Sequence, residues 1–125
     1  MSPKILIRSE GIEVSAELND SPTAKAIFAA LPFSSGANTW GDEIYFETPV
    51  NVKLDATAVE LVEAGDIGYW PSGRAFCIFF GPTPISRGDE IRPASAVNLI
   101  GKVIGDARTF KAVCDGDLID LEVGR

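Results

Sequence analysis

The sequence contains no histidine. Imidazole is the side chain whose ordinary pKa lies nearest neutrality, and its absence excludes several chemistries at once. Ser-His and Cys-His nucleophile pairs, histidine acid–base work and the usual catalytic zinc sites all fall away. Cysteine is scarce as well: Cys77 and Cys114 show no CxxC spacing. Two such residues build no disulfide framework and read as free thiols of a cytoplasmic protein. Basic residues are few, 11 Lys and Arg against 18 Asp and Glu, for a net charge of −7. They are scattered from Lys4 to Arg125, and no stripe of them could neutralise neighbouring phosphates, so nucleic acid is not an expected partner. An anionic membrane surface would repel the chain. Long apolar runs are also missing. The opening segment MSPKILIRSEG has an apolar run of only three residues, too short for a signal peptide or a membrane span. Neither a metal nor an organic cofactor is expected.

What is present describes one turn-rich globular domain: 125 residues, 46% hydrophobic, with 12 Gly and 8 Pro. KILIRSEGIEVSAEL reads as a β-hairpin. Ile12, Val14, Ala16 and Leu18 alternate with Glu13, Ser15 and Glu17, a period of two with one buried face. Ser21 is a good N-cap and Pro22 a good first helical residue. Ala24, Ile27, Phe28 and Leu31 share one helical face, which predicts a helix over 22–31. NTWGDEIYFETPVNVKLD reads as strand and turn. AVELVEAGDIGYW is ambiguous; Gly65 and Gly68 and the β-favouring Ile67, Tyr69 and Trp70 favour strands. PSGR is a turn, AFCIFF a strand apolar on both faces, and NLIGKVI another strand. GDARTFKAV has the pattern of a helical turn or two, and after the CDGD turn LIDLEVGR closes the chain as a strand. Seven or eight short strands with one or two helices predict an antiparallel sheet closed into a barrel.

Three segments carry a resemblance: NTWGDEIYFETPVNV, VEAGDIGYWPSGRAFCIFFGPTPIS and PASAVNLIGKV. They resemble a small bacterial and archaeal family with a cyclophilin-like fold and no established function. The resemblance spans essentially the whole chain. It implies a mainly β fold, a closed antiparallel eight-stranded barrel capped by one or two short helices, as a single domain over 1–125. NLIGKVIGD and AFCIFFG are also similar to strands of the true cyclophilins, the peptidyl-prolyl isomerases. The isomerase residues do not carry over. The segment PFSSGANTW has no arginine where cyclophilins carry one, and Val97 stands where they have a pocket histidine.

The aromatics with polar handles are the main functional candidates. Trp40, Tyr45, Tyr69 and Trp70, with Phe79, would supply the apolar wall of a ligand groove. Glu43, Arg74 and Asn98 would supply polar anchors. Each also has a plainer reading: the apolar rings as barrel core, Glu43 as a solvated strand position, and Asn98 as a local backbone partner. Asp42 and Glu43 are adjacent, so on a strand they point to opposite faces and form no carboxylate pair. Asp115, Asp117 and Asp120 lack the oxygen spacing of a calcium loop. Cys77 reads as a buried, inert thiol. The PSG and GPTP turns would rim a site at the barrel mouth.

These features predict a non-catalytic protein that binds a peptide segment or a small apolar ligand. A weak peptidyl-prolyl isomerase using Arg74 or backbone donors is the alternative. A subunit using the aromatic patch as an interface, a homo-oligomer among the options, is the third reading.

Overall fold

The structure, a computed structural model, describes residues 2–124. Strands β1 (Lys4–Ser9) and β2 (Ile12–Leu18) form the expected hairpin. Glu10 and Gly11 both take positive φ at its turn, the mirror-image geometry that suits the twist of the two strands. Helix α1 (Pro22–Ala29) starts where the Ser21 hydroxyl accepts from the Ala24 N–H at 3.2 Å. It ends two residues earlier than the periodicity predicts. The Ala30 and Leu31 N–H groups bond the Ile27 and Phe28 carbonyls, so the last turn tightens to three-residue spacing before Pro32.

The remaining strands are β3 (Phe33–Gly36), β4 (Asn38–Thr39), β5 (Glu43–Glu47), β6 (Ala58–Val59), β7 (Asp66–Trp70), β8 (Ala75–Phe79), β9 (Val97–Val103) and β10 (Leu118–Val123). All pairings are antiparallel, in the order β3-β10-β1-β2-β9-β7-β8-β5-β4, with β6 on β9. The two end strands are separated in the chain by Ala37 alone. The ribbon therefore curls back on itself into a nearly closed barrel. Ten strands appear where eight were expected, because Ala37 splits one edge segment into β3 and β4 and because β6 is a two-residue pairing. Residues 107–112 form a 3-10 helix that presses Ala107 and Phe110 into the core. CDGD is a turn, with the Asp117 carboxylate accepting from the Cys114 N–H.

Strand β8 is apolar on both faces because it lies between two cores. Phe76 and Ile78 point into the barrel with Ile44, Phe46, Ile67 and Tyr69. Ala75, Cys77 and Phe79 point outward, into a smaller cluster with Val62, Ile91 and Val97. The chain from Phe80 to Ala96 folds over that outer face. Close packing also fixes Gly101. A Cβ there would strike the Glu17 carbonyl oxygen of the neighbouring strand. Backbone cannot move aside cheaply, so Gly101→Ala is expected to cost about 2 kcal/mol, read as a lower urea midpoint.

Candidate functional site

The site is assembled from the β4–β5 turn outward. In Trp40-Gly41-Asp42-Glu43, the Trp40 N–H bonds the Glu43 carbonyl at 2.9 Å. Gly41 is demanded twice, by its φ of +61° and by the approach of Pro82 and Pro84, which a Cβ would strike. Asp42 locks this turn to the GPTP segment: its N–H bonds the Pro82 carbonyl, and its carbonyl accepts from Phe80, both at 2.9 Å. The long loop is stapled within itself. Thr83 Oγ1 donates to the Arg92 carbonyl, and Ser86 Oγ accepts from the Arg92 N–H. At its far end Trp70 Nε1 donates to Ser95 Oγ at 2.6 Å, tying the sheet to the loop.

Between the outer sheet face and this loop lies a cavity of about 240 Å3. Trp40, Tyr45 and Trp70, all half-buried, form its walls. Tyr45 and Trp70 meet edge to face, ring centroids 6.3 Å apart. Pro93 and Ala94 close it from the loop side, and Cys77 and Val97 sit deep in it. Glu43 also lines it and is only 5% exposed. No Lys or Arg among the described residues forms an ion pair with Glu43. Burial pushes its carboxyl up to about 7, and the Cys77 thiol, a weak donor, only partly offsets this. Cys77 itself is raised well above the usual thiol range, first by burial and then by the Glu43 charge, so it keeps its proton.

Four of the eight predicted site residues therefore meet at one cavity: Trp40, Glu43, Tyr45 and Trp70. The other four lie elsewhere. Tyr69 points into the barrel, fully buried, and its hydroxyl donates to the Val50 carbonyl at 2.6 Å. Phe79 is fully buried in the smaller cluster. Arg74 is exposed, and its guanidinium pairs with Glu47 at 2.9 Å. Asn98 is fully buried and bonded to Thr23, Lys53 and Asp55. The position of the site also differs from expectation. The pocket opens on the outside of the sheet, because Glu43, Tyr45, Cys77 and Trp70 have the opposite strand parity to the core residues. Sequence reasoning missed Cys77, Val97 and the loop residues Pro93 and Ala94 as pocket lining. One signal was present for Cys77: Ala75 and Cys77 are the small members of AFCIFF and share one face, which leaves room above them.

A wider concavity of about 610 Å3 lies near Glu17, Asn19, Glu63 and Asp66. It is an open depression in which Asn19 and Asp66 are committed to local structure. The Asn19 amide donates to the Leu99 carbonyl, and the Asp66 carboxylate accepts from the Glu63 N–H. The smaller aromatic cavity is the more enclosed of the two.

A family model described as cyclophilin-like matches residues 3–122. The solution structure of a hypothetical protein from Archaeoglobus fulgidus is similar, with a TM-score of 0.83 and 44% identity, covering 98% of this chain and 95% of that one. No match was found among curated proteins.

Proposed function

The chain belongs to the cyclophilin-like family, and from that premise we propose that it is a binding protein whose outer aromatic pocket holds a small ligand or a single side chain of a partner peptide, without catalysis. The observation that carries this reading is the convergence of three half-buried aromatics and one buried carboxylate on a cavity roofed by a stapled loop. Aromatic bodies with polar edges suit a site that is wet when empty and dry when filled. At about 240 Å3 the cavity falls below the usual range for drug-sized ligands, which fits one side chain or a compact molecule rather than an extended peptide.

The isomerase alternative needs a cationic donor over the bond that rotates. Among the described residues lining the cavity there is no Lys or Arg, and Arg74 is paired with Glu47 outside it. A protease-coupled assay on an X-Pro peptide is expected to return the uncatalysed rate; faster turnover would revive that alternative.

The chain has only two tryptophans, and both line the pocket. Their indole N–H signals in a nitrogen-15 correlation spectrum therefore report on the site directly. Titration with a set of neutral and charged small fragments is expected to shift both signals saturably. Indole signals that stay fixed while fragments bind elsewhere, or bind nowhere, would remove the pocket from consideration. Both rings moving on dilution of the protein alone would instead favour the interface reading.

A further inference from the structure

The pocket's chemistry narrows the ligand class, an inference that rests on the binding reading above. We propose that the pocket recognises a methylated ammonium group, tertiary or quaternary, seated against the faces of Trp40, Tyr45 and Trp70 with Glu43 as its counter-charge. Three observations meet here. Aromatic faces carry negative quadrupole charge and attract cations that have shed water, with tryptophan the strongest. The one carboxyl group in the lining is almost fully buried and has no cationic partner among the described residues. A buried carboxylate without a partner is costly, and a bound cation would supply what the chain itself does not.

The same lining selects among cations. A primary ammonium brings three donors and a guanidinium five, each needing an acceptor once desolvated. The rest of the cavity offers Cys77, Pro93, Ala94 and Val97, which are poor acceptors at their side chains. Glu43 alone satisfies a tertiary ammonium, and a quaternary one needs only its charge. Rim charges do not compete: the Arg92 guanidinium, next to Pro93, is held by Glu90 at 2.8 Å. The net charge of −7 would also draw a cation toward the protein. The head group could belong to a free small molecule or to a methylated lysine of a peptide, and the two sources are separable by experiment.

The test is intrinsic tryptophan fluorescence at pH 8, titrated with choline and with 3,3-dimethylbutan-1-ol, its neutral analogue of the same shape. Choline is expected to bind at least about tenfold more tightly. Glu43→Gln is expected to remove most of that preference while leaving the neutral alcohol's binding intact or stronger. Tyr45→Leu, which keeps Glu43, is expected to weaken choline more than the alcohol. A peptide carrying trimethyl-lysine, compared with its unmodified form, decides the source: tighter binding than choline indicates a protein partner, and weaker binding a free metabolite. Equal or tighter binding of the neutral alcohol would overturn the cation inference and leave the binding reading standing. No binding of choline, alcohol or peptide would overturn the inference, and fixed indole signals in the fragment titration would then remove the binding reading too.

Discussion

Glu43→Gln is expected to make the protein about 3 kcal/mol more stable at pH 8 and no more stable at pH 4. The sign follows from where the proton sits. In the unfolded chain the carboxyl ionises near its ordinary 4.5, whereas in the folded chain it ionises near 7. Between those values the folded state keeps a proton that the unfolded state has released, so stability falls as pH rises. The interval from 4.5 to about 7 corresponds to about 3 kcal/mol. Glutamine has the same shape and no charge, so it escapes the loss. The Cys77 thiol, also in the lining, stays protonated over this range. Urea denaturation from pH 4 to pH 8 measures the effect. Parallel pH profiles for the two proteins would show that the carboxylate is solvated, and the pocket would lose its unpaired charge.

Three other carboxylates act in the opposite direction and at lower pH. Burial raises the Asp55 carboxyl, but hydrogen bonds from the hydroxyls and backbone N–H groups of Thr23 and Thr57 outweigh it and hold it below its ordinary 3.8. Arg92 lowers Glu90 and Arg108 lowers Asp106, each first through a side-chain hydrogen bond. Their contributions are present above the ordinary carboxyl range and are lost as pH falls through it. Among these groups only Glu43 penalises the rise from its ordinary 4.5 to about 7, so wild-type stability is expected to fall across that interval.

The second large effect is expected at Asn98. Asn98→Ala should cost about 3 kcal/mol, with a fall in Tm of about 10 °C. The side chain is fully buried and uses both ends. Its amide N–H groups donate to Thr23 Oγ1 at 2.9 Å and to the Lys53 carbonyl at 3.0 Å. Its oxygen accepts from the Asp55 N–H at 2.8 Å. Thr23 Oγ1 in turn donates to the Asp55 carboxylate at 2.7 Å, so helix α1, strand β9 and the chain before β6 share one network. Alanine would strip the buried Thr23 hydroxyl of its donor and leave the part-buried Lys53 carbonyl and Asp55 N–H without their partners, in addition to opening a gap at a fully buried position. The indole signals of Trp40 and Trp70 should stay in place. Indole shifts with unchanged stability would instead make Asn98 part of the ligand site.

Local signals in the sequence accounted for the hairpin, the capped helix and the period-two strands, because each depends on neighbours in the chain. The Ser21-Pro22 start and the Ile12-to-Leu18 alternation are of this kind. The candidate site was half legible. Trp40, Glu43, Tyr45 and Trp70 could be named from side-chain type alone. Tyr69 was separable from Trp70 in principle, since consecutive strand residues face opposite ways. What covers the outer face was not legible, because the loop from Phe80 to Ala96 is placed by long-range bonds such as Val62 N–H to the Ile91 carbonyl. That cover decides that Phe79 is enclosed and that Glu43 is buried. Arg74 and Asn98 were misplaced for the same reason: their partners, Glu47 and Thr23, lie far away in sequence.

The outward face of β8 gives this architecture a division of labour. The inward residues form the larger core, while the smaller core and the aromatic cavity beside it sit on the other side, under one contiguous segment. Any loop grafted between β8 and β9 must still enclose Phe79 and Cys77, so what could be changed there is bounded by the seal over those side chains.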